Sequence, residues 1–194
     1  MVRDIAGQEP LTVAVDQAKL LAATGGGVAY VRSTDVDPAV PANRYDIRLR
    51  RADTLVTSGP LARGEQVSTM CASDTLLAWA VRSPNTSSPE NPHASGHLHV
   101  RTLATKAQHT SELDDNARSL DLSCGDAFVG WGNGSGNGDP GQYVVDAPSR
   151  KLWKLGESPG ISAVGAAGTM LGWTLPPKSA QEAAPWRVTK WHRP

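Results

Sequence analysis

The densest group of side chains that could bind a metal lies in the stretch PENPHASGHLHV, residues 89–100. It contains Glu90, His93, His97 and His99. His97 and His99 are two residues apart, so on a strand both side chains point to the same side, and His93 could fold back from the preceding loop. Three imidazoles, His93, His97 and His99, with an open coordination position suit zinc or another divalent metal. Because the fixed spacing of a helical HExxH motif is missing, ordinary surface histidines are the alternative interpretation.

Two loops carry the oxygen ligands that calcium prefers. TDVDPAV contains Asp35 and Asp37, and GNGSGNGDPG contains Asn133, Asn137 and Asp139. Neither keeps the DxDxDG order of a calcium loop with its distant Glu. The glycine-rich loop also lacks the Lys-Ser/Thr ending and the helix of a phosphate loop. Both stretches are therefore predicted to be polar surface loops.

No set of residues with catalytic spacing is present. The sequence has no GxSxG nucleophile elbow, and its two cysteines, Cys71 and Cys124, do not form a CxxC pair. Both cysteines end the first apolar run of their repeats, where small buried residues belong, so packing is favoured over catalysis. They fit a reducing compartment or a single disulfide equally well. The sequence thus predicts no catalytic residue and, apart from the divalent metal considered above, no cofactor.

The elements that must position these side chains recur about every 40 to 50 residues. Short apolar runs carry a central aromatic residue at Tyr30, Trp79, Trp131 and Trp173. Each run follows an apolar stretch that ends in a tight turn, and it is followed, after a longer polar loop, by one or two further short runs. Four β-rich segments per repeat predict the four-stranded blade of a β-propeller.

The predicted fold is therefore all-β, a propeller of about four four-stranded blades in one domain, residues 1–194. The repeats span approximately residues 18–58, 67–112, 119–157 and 161–191. The opening VRDIAGQEPLTVAV has the pattern of a third and a fourth strand, whereas the last repeat stops at WRVTKWHRP, after its third strand. Residues 1–15 are expected to supply the closing strand through Leu11–Val15, or the chain is part of a larger ring completed by a second copy or by further sequence.

The segments CASDTLLAWAV and GHLHVRTLATKAQHTSEL are similar to a blade of the TolB-like and WD-type β-propeller families. Ser73 and Asp74 match the usual turn without its Pro and Gly, and Ala78 and Trp79 match the strand after it. The resemblance covers nearly the whole chain and implies the fold. It does not select a function, because propellers of this kind include enzymes, receptors and scaffolds.

Aromatic residues on the second strands are expected to fill the space between neighbouring sheets, because both faces of an interior blade are covered. This prediction applies to Trp79, Trp131 and Trp173. Trp186 and Trp191 lie in the last run, where a fourth strand is missing, and we expect them to be more exposed and to mark a joint with a partner.

The loop between the second and third strands is long in every repeat. These loops are Ser33–Arg44, Arg82–Gly96, Gly132–Gly141 and Pro176–Pro185. Strand direction alternates within a blade, so all four emerge on one face, where binding surfaces of repeat proteins collect. The alternative is that long loops persist because they cost little stability. The candidate binding residues on this face are Asp35, Asp37, Glu90, His93, His97, Asn133, Asn137, Asp139 and Glu182.

Composition narrows the classes of partner and compartment. Nineteen basic residues balance 19 acidic ones, so no overall field favours nucleic acid or an acidic membrane. No signal peptide or transmembrane run is apparent, so the chain as written is expected in the cytoplasm, or in a secreted or periplasmic location if a leader was removed. The predicted function is a binding or scaffold propeller for a protein, peptide or glycan. The alternatives are a metal-dependent hydrolase or lyase near His97 and His99, a fragment of a larger propeller, and a homodimer through the last blade.

Overall fold

The computed structural model of the chain describes residues 18–24, 27–33, 44–49, 54–62, 65–84, 93–113, 120–133, 141–156, 163–176 and 183–192. In these residues all regular structure is β-strand, which confirms the all-β prediction. The described residues contain no helix long and apolar enough to cross a membrane. The predicted closing strand, residues 1–15, lies outside the described residues.

The strands form four antiparallel sheets, each built from consecutive strands, which we number as blades 1 to 4. Blade 1 contains β1 (Ala18–Thr24), β2 (Gly27–Ser33), β3 (Arg44–Leu49) and β4 (Thr54–Pro60). Blade 2 contains β5 (Gln66–Ala72), β6 (Leu76–Pro84), β7 (His93–Thr102) and β8 (Gln108–Leu113). Blade 3 contains β9 (Leu120–Cys124), β10 (Phe128–Asn133), β11 (Gln142–Asp146) and β12 (Leu152–Gly156). Blade 4 contains β13 (Val164–Ala167), β14 (Met170–Thr174) and β15 (Trp186–Lys190).

The first strands of successive blades lie side by side, with β1 against β5, β5 against β9, and β9 against β13. This is the arrangement of propeller blades around an axis lined by their first strands. Within the described part of the chain, blade 4 does not pack extensively against blade 1. The described residues of the four blades therefore form part of a ring that they do not close.

Side chains along the second strand of each blade point alternately to the two faces of the sheet. This alternation determines which residues lie between neighbouring blades. In β6, Trp79 faces blade 1, whereas its neighbours Ala78 and Ala80 face blade 3. Trp79 is fully buried, and Trp131 and Trp173 are only 5% and 9% exposed. The prediction that these three tryptophans fill the space between blades is confirmed.

The first strands of blades 2 and 3 are joined covalently by a disulfide between Cys71 and Cys124. Both cysteines are buried in the core between these blades. Of the two alternatives that the sequence left open, the structure contains the single bridge. The next pair of first strands is joined by a hydrogen bond, in which the Ala166 amide donates to Ser123 Oγ over 2.7 Å.

The turns between the first and second strands touch one another at the same end of blades 2 to 4. The Thr75 hydroxyl of blade 2 donates to the Asp126 carbonyl of blade 3. The Asp126 amide in turn donates to the Gly168 carbonyl of blade 4 over 2.7 Å. These contacts fix the relative orientation of three blades at the end that carries the short turns.

Gly130 allows an unusually close approach between blades 3 and 4. A Cβ atom at Gly130 would lie 2.4 Å from Val164 Cγ1, well inside contact distance. Val164 belongs to the core that also contains Leu171 and Trp173. The absence of a side chain in the middle of β10 is therefore required for this junction.

Loss of the disulfide is expected to cost about 4 kcal/mol, because the bridge closes a loop with a sequence separation of 53 residues and restricts the unfolded chain. Guanidinium denaturation of the Cys71→Ala/Cys124→Ala variant measures this loss. Adding a reductant to the wild-type protein should produce a similar loss, and adding it to the double variant should produce none. An unchanged midpoint in the double variant would contradict the prediction.

Gly130→Ala is expected to destabilise the protein by about 1 to 3 kcal/mol, because the new methyl group overpacks the junction with Val164. Gly165→Ala is the matched control. A Cβ atom there would lie 3.8 Å from Trp186 Cζ3, which is ordinary van der Waals contact. Thermal denaturation of both variants tests the difference, and equal melting temperatures would show that the approach at Gly130 is not tight.

Candidate functional site

Most of the predicted binding residues belong to parts of the chain that are not described. Six of them lie outside the described residues, namely Asp35, Asp37, Glu90, Asn137, Asp139 and Glu182. His93 begins β7 and Asn133 ends β10, and only their strand positions are described. The proposed roles of these eight residues remain predictions.

Strand directions locate the long loops relative to the turns. The turns after β5, β9 and β13 meet at one end of blades 2 to 4 through the bonds among Thr75, Asp126 and Gly168. Since β6, β10 and β14 run away from that end, the connections that follow them leave from the opposite end. We call this opposite end the long-loop face.

Five side chains form a cluster on the side of blade 2 that faces blade 1. We call Tyr45, Trp79, His97, His99 and Thr110 the aromatic–histidine cluster. The Trp79 Nε1–H donates to the Tyr45 hydroxyl over 3.0 Å, and the two rings meet edge-on. The His99 ring stacks on Trp79, with centroids 5.1 Å apart and an angle of 17° between the planes. Its Nδ1 lies 3.0 Å from Thr110 Oγ1.

Burial favours the neutral forms of Tyr45 and His99. It raises the pKa of Tyr45, and the hydrogen bond from Trp79 offsets this only in part. Burial also lowers the pKa of His99, and the nearby His97 lowers it further. An uncharged imidazole against an uncharged phenol and indole is therefore the favoured state of the cluster at neutral pH.

The cluster bears on the predicted metal site. His97 and His99 share one face of β7, as expected from their spacing, with ring centroids 6.5 Å apart. In the described part of the chain, no group of three or more His, Cys, Asp or Glu is close enough to hold a metal ion. Since His93 is the third ligand of the hypothesis, the metal site stays a prediction.

Blade 4 exposes apolar side chains on the side away from blade 3. Trp186, Val188 and Met170 are 53%, 61% and 44% exposed. Trp186 and Val188 lie next to Gly172. If Gly172 carried a Cβ atom, these two side chains would be its nearest neighbours. We call these four residues the outer face of blade 4. The expected exposure of Trp186 is confirmed.

Trp191 is half-buried, so it is less exposed than Trp186 but more exposed than the tryptophans of the second strands, as expected. Its ring packs on Phe128 and Trp153 of blade 3, with centroids 5.2 and 5.5 Å away. Its Nε1–H points to Asp146 Oδ1 at 3.5 Å. Trp191 lies five positions after Trp186, so alternation directs it to the preceding blade while Trp186 faces away from it.

Sequence reasoning missed two buried polar positions between the blades. Gln142 is fully buried, and its amide donates to the carbonyl of Thr174 over 2.8 Å. Asp146 is 2% exposed and accepts the Ser149 amide, which closes the turn after β11. The Asp-Ala-Pro-Ser sequence of residues 146–149, with an Asp three residues before a Ser in a turn, was the available signal for the second position, whereas no sequence pattern marks Gln142.

Comparison with known proteins supports the fold. No protein-family model and no curated protein sequence matches the chain. The β-propeller domain of the Trilobed protease from Pyrococcus furiosus, described as having an open velcro topology, is similar with a TM-score of 0.50 and 14% identity. The match covers 91% of this chain and 56% of that one.

Two further structures resemble the chain. The acylaminoacyl peptidase of Pyrococcus horikoshii has a TM-score of 0.51 and 11% identity, over 91% of this chain and 31% of that one. TolB from Acinetobacter baumannii has a TM-score of 0.46 and 14% identity, over 80% and 37%. The chain thus spans little more than half of the first of these proteins and about a third of the others. At such identities, the likeness to the two structures with TM-scores of 0.50 and 0.51 establishes the β-propeller fold alone.

Acidification is expected to destabilise the protein through His99. Its pKa is lowered in the folded state, so the unfolded state, with an ordinary pKa of about 6.5, takes up the proton more readily. The stabilisation is complete above about pH 6.5 and is lost as the pH falls toward the folded-state pKa. Urea denaturation between about pH 8 and 5 should show a smaller loss for His99→Phe, which keeps a ring on Trp79.

His109 supplies the comparison, because burial and the charge of Arg150 lower its pKa as well. His109→Gln should reduce the pH dependence by a separate amount, and the double variant should show the sum of both reductions. A pH dependence in His99→Phe equal to that of the wild-type protein would contradict the role assigned to His99.

Proposed function

We propose that this chain is a binding β-propeller whose long-loop face recognises a protein, peptide or glycan. The observation that carries the proposal is the meeting of the short turns of blades 2 to 4 at one end. At that end the turns are short and are bonded to one another through Thr75, Asp126 and Gly168, whereas the opposite end receives the long polar loops, where binding surfaces of repeat proteins collect.

The scaffold beneath that face is rigid, which favours recognition. The disulfide between Cys71 and Cys124 and the bond between Ser123 and Ala166 hold three successive first strands together. Loops on a rigid frame lose less conformational entropy on binding than loops on a mobile one. Among the predicted binding residues, His97 is the one whose side chain is described, and it is exposed four positions after the start of β7.

The disulfide also bears on where binding takes place. Buried disulfides persist in oxidising surroundings, such as the periplasm or the cell exterior. We therefore propose that the chain acts in an oxidising compartment, on a partner that is present there.

The test begins with ligand selection on the disulfide-intact protein, using a random peptide library displayed on phage and a printed glycan array. For the best ligand, affinity is then measured for Asp37→Ala, Asp139→Ala and Glu182→Ala. At least one of these should weaken binding about tenfold, as expected for a residue central to an interface.

Lys106→Ala and Lys151→Ala are the controls, because both lysines are exposed on turns at the opposite end. They should change the affinity less than about twofold. Binding that is lost in the controls and kept in the loop variants would place the site at the turn end. Failure to select any peptide or glycan would overturn the proposed ligand class.

A further inference from the structure

The hairpin turns between third and fourth strands lie at the end opposite the long-loop face, which we call the turn end. The third strands β7, β11 and β15 run antiparallel to the second strands, so they finish there. In each of these blades, the amide of the residue after the third strand donates to a carbonyl of the first turn. These bonds join Leu103 to Thr75, Ala147 to Ala127 and Trp191 to Thr169, over 2.8, 2.9 and 2.7 Å. The hairpins that follow in blades 2 and 3 therefore begin at the same level.

The hairpins of blades 2 and 3 are built alike. They span Thr102–Ala107 and Asp146–Lys151, and in each the amide of the first residue donates to the carbonyl of the last, over 2.9 and 3.0 Å. Lys106 and Arg150 therefore hold the same place, one residue before the end of the hairpin.

Both of these basic residues have a positive φ, 59° for Lys106 and 62° for Arg150. In the described parts of the chain, they are the two residues other than glycine with this conformation. Glycine has no Cβ, so it adopts the conformation without steric cost and is favoured at such places in hairpins. A departure from local preference that recurs at the same place in two blades is expected where the side chain serves a function.

The basic side chains of these hairpins face solvent. Lys106, Arg150 and Lys151 are exposed, and residues 103–107 and 147–151 contain no acidic residue. Within the described residues, none of the three side chains takes part in a salt bridge. We call Lys106, Arg150 and Lys151 the basic turn surface. Its charges are available to a partner.

The two hairpins are close enough to act together. His109 pairs with Val100, a residue of the core between blades 2 and 3, so its side chain lies on the side of β8 that faces blade 3. Burial and the charge of Arg150 lower the pKa of His109, which places the Arg150 guanidinium near β8. Since β8 follows the hairpin that carries Lys106, basic groups of two neighbouring blades lie along one stretch of the turn end.

We propose that the basic turn surface binds an extended acidic segment of a protein partner. Carboxylates of that segment pair with the three basic side chains, and the Arg150 guanidinium can donate two parallel hydrogen bonds to one carboxylate. Because each hairpin is closed by its own backbone bond, the surface loses little conformational entropy on binding. The site lies opposite the long-loop face, so it goes beyond the function proposed above and does not depend on the ligand bound there.

The charges on the rest of the turn end favour a narrow segment over a broad polyanion. Asp74 and Asp126 are exposed in the first turns, which lie nearer the ring axis than the outer hairpins. A broad negative surface, such as nucleic acid or an acidic membrane, would meet both carboxylates, whereas an extended segment can follow the outer hairpins. The whole chain balances 19 basic with 19 acidic residues, so the attraction is local.

The first test is fluorescence anisotropy at low salt, with a labelled polyglutamate peptide and the disulfide-intact protein. The peptide should bind the wild-type protein, and a polyglutamine peptide of the same length should not. Lys106→Gln, Arg150→Gln and Lys151→Gln should each weaken binding about two- to fivefold, as expected for exposed ion pairs. Arg44→Gln is the matched control, because Arg44 is exposed at the start of β3, outside the basic turn surface, and its loss changes the net charge equally. The control should leave the affinity unchanged.

The second test separates binding from folding. The double variant Lys106→Gly/Arg150→Gly removes two charges and gives each hairpin the residue that its backbone prefers. The melting temperature should rise by about 2 to 4 °C. The affinity for the polyglutamate peptide should fall about tenfold, as the sum of two separate losses. A double variant that melts below the wild-type protein would show that the two basic side chains serve the fold, and the proposal would be overturned.

Absence of peptide binding up to about 1 mM would also overturn the proposal. An equal loss of binding in Arg44→Gln would do the same, because it would show attraction by overall charge. Sedimentation with phosphatidylglycerol vesicles tests the broader alternative. Vesicle binding that is lost in Lys106→Gln and Arg150→Gln, without peptide binding, would assign the surface to a membrane instead of an acidic protein segment.

Discussion

Burial of both faces of every sheet is the constraint on which the rest of this structure depends. A propeller blade is apolar on its two sides, so it is stable only between neighbours. The second strand meets the requirement by alternation, with a large aromatic toward the preceding blade and small residues toward the following one. Trp79 beside Ala78 and Ala80 is the clearest case, since all three are fully buried. The same alternation explains why Gly130 must lack a side chain where Val164 approaches it.

A disulfide and several hydrogen bonds fix how the blades are oriented within this apolar stacking. The Cys71–Cys124 disulfide and the turn bonds that run from Thr75 through Asp126 to Gly168 all lie near the turn end of the blades. Because they tie the first strands and their turns together, they fix one end of the array and leave the other end to its loops. The aromatic–histidine cluster adds a pH-dependent component at the junction of blades 1 and 2, since burial of His99 favours its neutral form.

The sequence was sufficient to predict the blades because aromatic spacing and alternation depend on local order along the chain. Trp79, Trp131 and Trp173 could be placed between sheets from their strand positions alone. The sequence was not sufficient to predict contacts that depend on the distances between repeats. The pairing of Cys71 with Cys124 needs two first strands at bonding distance, and the bond between Trp79 and Tyr45 needs the offset between two sheets. The packing of Trp191 on Phe128 and Trp153 depends in the same way on the distance between two sheets. For most of the predicted loop residues, among them Asp35 and Asp139, the chemistry of the site remains a sequence prediction.

The character of the terminal sheet is the strongest argument about the assembly as a whole. Arrays of repeats that end in solution carry a polar outer surface on their terminal unit. On blade 4, by contrast, Trp186, Val188 and Met170 are exposed together, with Lys190 as the charged residue of β15 on the same face. The edge strand β15 carries the charges of Arg187 and Lys190 and follows Pro185, which are features that protect natural sheet edges. Burial of this face against a further strand or blade would meet the constraint that the three junctions within the chain already meet.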